Sequence, residues 1–177
     1  MKSTLKTGLF TGIISSVFLF GAFTLVDWLN RKNGWGMHAD NIRGLTGLLS
    51  IPIQFVGIYV AMQSAKTTTG TLTYGQALKT GVIVAVTVAI VVALFSFLYC
   101  TFNTGYAAYM INDAEKTMRA QGQSERQIQA SLILVTAEFS TGAQVIEALV
   151  GQFVTGTIMS LLLAIFLKGK SKTHHAR

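Results

Sequence analysis

The chain has 177 residues, 51% of them hydrophobic and 12% charged, against roughly 25% charge in a soluble domain. Fourteen Lys and Arg against seven Asp and Glu leave a formal charge of +7. That surplus flanks apolar runs and includes only a short basic tail, which argues against a nucleic-acid surface and for contact with anionic lipid headgroups.

A helix needs roughly 20 mostly apolar residues to cross a hydrocarbon core about 30 Å thick. Four segments qualify, at about residues 8–28, 44–62, 78–102 and 143–167. Helices are the expected form, because isolated strands leave backbone groups unpaired in lipid. The expected architecture is one all-α integral membrane domain over residues 1–177, with a short helical segment outside the membrane at about 103–142.

The first span follows Lys2 and Lys6. Its apolar stretch of about 20 residues exceeds the 7–15 of a typical signal-peptide core, and no A-x-A site follows, so a retained helix is expected. Gly8, Gly12 and Ser16 share one of its faces. The connector at 30–43 holds Gly34 and Gly36, and Trp28 and Trp35 suit the headgroup zone. Within the second span, Pro52 should kink the helix or free a carbonyl, which the nearby Gln54 is placed to satisfy.

The connector at 67–81 offers Thr73 as an N-cap for the third span, with Tyr74 and Lys79 at the membrane interface. The third span carries no charge from residue 80 to 112. Gly81, Ala85, Ala89 and Ala93 place one small residue per turn on one face, which permits close helix approach. Cys100 is the single cysteine, so no internal disulfide forms, and it reads as a small apolar filler.

The segment 103–142 divides into two amphipathic helices. Tyr106, Met110, Ala114 and Met118 recur every four residues, Gly122 fits a helix C-terminus, and Ser124 to Gln127 is a capping box. Ile128, Leu132, Val135 and Phe139 form the second face. About 40 residues cannot bury a core alone, so these helices should lie on the bilayer or pack on the bundle rim. In the fourth span Ala148, Gly156, Ser160 and Ala164 share a face, with Gln152 in the same row. These stripes are expected to pack within the bundle, and one of them offers an alternative homodimer seam.

The charges set the orientation. Lys2, Lys6, Lys66, Lys79, Lys168, Lys170, Lys172 and Arg177 fall on one side with no acid among them. Asp27, Asp40, Asp113, Glu115, Glu125, Glu138 and Glu147 all fall on the other. By the positive-inside rule both termini are expected in the cytoplasm. The run Leu5-Lys6-Thr7-Gly8 returns as Leu78-Lys79-Thr80-Gly81, as a duplicated hairpin would leave it, although the rest of the two spans does not match.

Ionisable groups in lipid are candidates for function. Glu147, about one turn into the fourth span, reads first as an interfacial carboxylate favoured by the helix N-terminus, and Asp27 at the end of the first span reads the same way. Gln54 and Gln152 are the other candidate polar intramembrane residues, expected to hydrogen-bond between helices. His38 is separated by the membrane from His174 and His175, so no metal site is expected. No nucleophile stands beside a base and no phosphate loop is present, so neither catalysis nor a cofactor is expected.

Three stretches carry a family resemblance. They are Gly70-x-Leu72-Thr73-Tyr74-Gly75-x-Ala77-Leu78-Lys79-x-Gly81, the run Gln121-Gly122-Gln123-Ser124-Glu125-Arg126-Gln127-Ile128, and the ending in which Gly156, Ser160 and Leu161 lead to Lys168 and Lys170. Together they resemble the family known as domain of unknown function 4199 (DUF4199), four-helix bacterial inner-membrane proteins found mainly in the Bacteroidota. The outer segment is less acidic than the family's. The resemblance implies the same four-helix architecture and no activity. The expected role is a structural or accessory protein of an inner-membrane envelope complex, with a small oligomeric transporter or channel as the alternative. The expected partners are membrane lipids and either other membrane subunits or further copies of the chain, and no nucleic acid.

Overall fold

The computed structural model describes residues 2–34 and 36–167, without the side chains of Asp40 and Thr69. Trp35 and the tail residues Lys168, Lys170, Lys172, His174, His175 and Arg177 lie outside the described residues. Among the described residues the order is α1 Lys2–Asn33, α2 Ala39–Thr69, α3 Tyr74–Phe102, α4 Tyr106–Ala120, α5 Glu125–Glu138 and α6 Thr141–Leu167. Helices α1, α2, α3 and α6 are long and apolar enough to cross a membrane.

The spanning helices have 27 to 32 residues, or about 40–48 Å at 1.5 Å per residue. They therefore outrun the apolar segments read from the sequence. The connector expected at 30–43 shrinks to residues 34–38, and the one at 67–81 to residues 70–73. Polar residues at a helix end do not stop the helix when their groups find partners. Arg31 pairs with Asp27 one turn back. The Asn30 amide both donates to the Met37 carbonyl at 2.8 Å and accepts the Met37 N–H at 3.0 Å.

Thr73 caps α3 through a capping box with Gln76, and Ser124 caps α5 through one with Gln127. The end of α4 is a Schellman turn. The Gln123 N–H reaches the Met118 carbonyl, the Gly122 N–H reaches the Arg119 carbonyl, and Gly122 takes a φ of 74°. Arg119 ties the two short helices together by pairing with both Glu115 and Glu125.

Helix α3 is central and touches α1, α2 and α6. Its Gly81, Ala85, Ala89 and Ala93 are buried, as are Gly156, Ser160 and Ala164 on α6. Lipid tails are as apolar as leucine, so association depends on close packing rather than on hydrophobic transfer. Small residues supply the proximity. A side chain added at Gly81 would strike Ser160 and Met62, and one at Gly156 would lie 2.5 Å from the Gln54 amide nitrogen and 2.6 Å from Ala85 Cβ. On α1, added Cβ atoms at Gly8 and Gly12 would lie 2.8 Å from Thr87 and 2.7 Å from Val91 on α3. Around this seam Ile58, Ala61, Met62, Val84, Val88, Met159 and Leu163 form the core. Phe10, Val17, Leu48, Ile90 and Phe166 face outward.

Helices α4 and α5 cover the end of the bundle where α1 and α3 finish, and Tyr106, Met110 and Met118 form the buried side of α4. A second core of Phe23, Ala39, Ile42, Tyr106, Met110 and Phe139 fixes this cap. The Tyr106 ring meets Phe23, Tyr99 and Phe139 edge-on, with centroids 5.7, 5.4 and 6.4 Å away.

Candidate functional site

Beneath the cap the helices part. A half-open cavity of about 490 Å³ lies between the four spans, within the 300–1,000 Å³ range of small-molecule sites. Leu19, Phe20 and Phe23 of α1 and Val92, Ser96, Tyr99 and Cys100 of α3 form its back. Residues of α2 from Arg43 to Gln54 and of α6 from Gln144 to Thr155 form its sides, and Tyr106 of the cap closes it above.

Three glycines border the gap between α2 and α6. A Cβ built at Gly44, Gly47 or Gly151 would meet nothing within 4 Å. These three glycines line open space, unlike Gly81 and Gly156, which sit against a neighbour. The floor is closed where Gln54, only 1% exposed, donates from Nε2 to the Gln152 backbone carbonyl at 3.0 Å. Interhelical hydrogen bonds in membranes contribute about 0.6 kcal/mol on average, so this contact sets register more than stability.

Gln54, Glu147 and Gln152, the three candidate polar intramembrane residues, all line this one cavity. Their contacts differ from expectation. Gln54 meets the backbone of Gln152 rather than its side chain, and it is engaged on α6 rather than with a carbonyl freed by Pro52. Helix α2 continues unbroken through Pro52. Glu147 is not in the first turn of α6, which contains no acid. Its partner is Arg43 of α2, which also lies 3.7 Å from Glu138. Gln144, 7% exposed, donates to the Glu138 carbonyl at 3.0 Å and lies 3.5 Å from Glu147 Oε2.

Asp27 also requires correction. It is 6% exposed and lies in the closing turns of α1, where the helix dipole opposes a negative charge. It is held there by Arg31 and by the Tyr109 hydroxyl, which donates to Oδ1 at 2.5 Å. Burial, helped by this bond to Asp27, pushes the Tyr109 hydroxyl up to about 12. Burial likewise pushes Tyr106 up to about 12. Both phenols therefore stay neutral and keep their protons at physiological pH.

Sequence reasoning missed Arg43, Ser50, Ser96 and Gln144 at this site. Arg43 carried a usable signal, since it and Glu147 lie at similar depths from the starts of two spans that run in the same direction. The other polar groups answer neighbouring carbonyls. Ser50 donates to Gly47 at 2.7 Å, Thr46 to Ile42 at 3.0 Å, and Ser96 to Gln144 at 3.4 Å. The cavity thus combines an apolar back wall, an aromatic roof, a closed polar floor and a charged rim. This arrangement can hold an amphipathic molecule.

A family model described as "Protein of unknown function (DUF4199)" matches residues 5–169 of the chain. No curated protein and no solved structure matches it.

Proposed function

The chain belongs to the DUF4199 family, and we propose that it is a non-catalytic accessory protein of the bacterial inner membrane that works by holding a ligand within a larger envelope complex. Its four apolar helices make it a multi-pass membrane protein. The observation that carries the proposal is the half-open cavity under the cap. The use of its polar groups supports binding over chemistry. Arg43 and Glu147 pair with each other, while Gln54, Gln144 and Ser50 donate to backbone carbonyls. Such groups shape a site and are already engaged before any substrate arrives. In this reading both termini are cytoplasmic, and the cap and cavity belong to the outer leaflet, in keeping with the positive-inside rule.

The test is purification of the tagged full chain in mild detergent, followed by native mass spectrometry. A stoichiometric amphiphile or membrane subunit that stays through purification supports the reading. A protein that is bare and monomeric under every mild condition overturns it.

One observation favours a second reading, a small oligomeric transporter. Gln54, Glu147 and Gln152 share a cavity inside the spanning bundle, as a polar pathway requires. Flux into liposomes would then fall in Glu147→Gln and Gln152→Leu, and unchanged flux would remove these residues from any pathway.

A further inference from the structure

The cavity is roofed by the cap and bordered at the side by glycines. Gly44, Gly47 and Leu48 on α2 and Gly151 on α6 border the gap. Added Cβ atoms at the three glycines would touch nothing within 4 Å, and Leu48 is 64% exposed. A hydrocarbon chain in the surrounding lipid can therefore slide between α2 and α6 without entering water. Inside it meets Leu19, Ile51 and Val92.

The rim determines what kind of headgroup can follow. It holds the Arg43–Glu147 pair, and Glu138, just outside the lining, lies 3.7 Å from Arg43, so one guanidinium faces two carboxylates, a local balance of −1. The Arg43 side chain is 25% exposed and already paired, whereas those of Glu138 and Glu147 are 58% and 56% exposed. An arriving headgroup thus meets open negative charge. An anionic headgroup is repelled, while an ammonium group gains charge-assisted hydrogen bonds. The aromatic lining of Phe20, Phe23, Tyr99 and Tyr106 favours the same sign, because aromatic faces attract cations and serve as cages for ammonium ligands. A phosphate next to the ammonium can use the remaining N–H donors of Arg43, which has five.

We propose that the cavity takes a membrane amphiphile with an ammonium headgroup, its nitrogen at Glu138 and Glu147 and its hydrocarbon between α2 and α6. The assignment rests on the binding reading above and specifies the ligand for it.

The test uses the purified full chain and an equimolar mixture of phosphatidylethanolamine and phosphatidylglycerol with identical acyl chains. Native mass spectrometry reads retention. Alkylation of Cys100, the single thiol and a lining residue, by N-ethylmaleimide reads occupancy. The expected result is about tenfold preferential retention of phosphatidylethanolamine, a difference of about 1.4 kcal/mol, with slowed alkylation of Cys100. The combined Glu138→Gln and Glu147→Gln variant, isosteric at both positions, should lose the preference while keeping its thermal midpoint. Gly47→Leu, which fills the gap, should lose retention of both lipids. Equal retention of the two lipids, unaffected by the Gln substitutions, overturns the headgroup assignment and leaves the binding reading standing. No retention of either lipid, with Cys100 alkylated at the lipid-free rate, overturns the lipid assignment, and it overturns the binding reading as well when the chain is also bare and monomeric.

Discussion

Asp113 on α4 accepts the backbone N–H of Ala39, the first residue of α2, at 2.8 Å. Helix α2 therefore takes its N-terminal cap from a residue 74 positions away. Its own N-cap residue, His38, forms no side-chain cap bond. The His38 ring turns instead toward α4, 2.9 Å from Thr117 Oγ1 and 3.6 Å from Asp113 Oδ2. With the Tyr109–Asp27 bond, this latches α4 to both helices of the first hairpin and keeps Tyr106 over the cavity. An uncapped helix start costs about 1 kcal/mol. Asp113→Ala should lower stability by about that amount in thermal unfolding in detergent. Asp113→Asn, which keeps an acceptor, should lose less, and a loss equal to alanine's would mean that charge rather than acceptance matters.

The two kinds of glycine predict opposite responses to size. Gly81 is closed in by Ser160 and Met62, whereas Gly21 has nothing within 4 Å. Gly81→Leu should destabilise by about 1–3 kcal/mol, the usual cost of overpacking, and Gly21→Leu should leave the melting temperature unchanged. Similar midpoints for the two variants would show that the α3–α6 seam does not need close approach.

The latch also predicts an alkaline limit. The Tyr109 hydroxyl is raised from 10.0 to about 12 by burial and its bond to Asp27. The folded state then holds this proton more tightly than the unfolded chain. Its contribution is complete below pH 10 and is lost as pH rises through about 12. Tyr109→Phe should melt lower at neutral pH, where the bond is gone. It should also show a shallower fall in midpoint between pH 10 and about 12. A fall as steep as the parent's would place the alkaline sensitivity elsewhere, Tyr106 being the next candidate.

Orientation is testable with single thiols in a Cys100→Ser background. A membrane-impermeant maleimide should label Glu125→Cys on intact cells stripped of their outer membrane. Lys172→Cys should label only after permeabilisation. The reverse pattern would overturn the cytoplasmic placement of the termini and move the cavity to the other leaflet.

Several features were legible because they are local. Apolar runs longer than the bilayer core locate α1, α2, α3 and α6. The capping boxes of Thr73 and Ser124 and the Gly122 turn each lie within a few residues of chain. Small residues once per turn mark the faces of α3 and α6 that are buried. Helix ends were misjudged where polar residues found partners nearby, as at Asn30 and Arg31. Apolar content identifies the part of a helix in lipid, and backbone hydrogen bonding decides where the helix stops.

The sequence by itself determined that this is a four-span α-helical membrane protein with an amphipathic cap, because hydropathy and helical period act over neighbouring residues. Only the tertiary structure decided that Arg43 pairs with Glu147 across 104 positions, that Asp113 caps α2, and that Gly44, Gly47 and Gly151 line a gap while Gly81 and Gly156 line a seam. The residue type is the same at gap and seam. The difference is whether side chains of neighbouring helices stand against the glycine, which depends on residues far apart in the chain and is written in no single stretch of it.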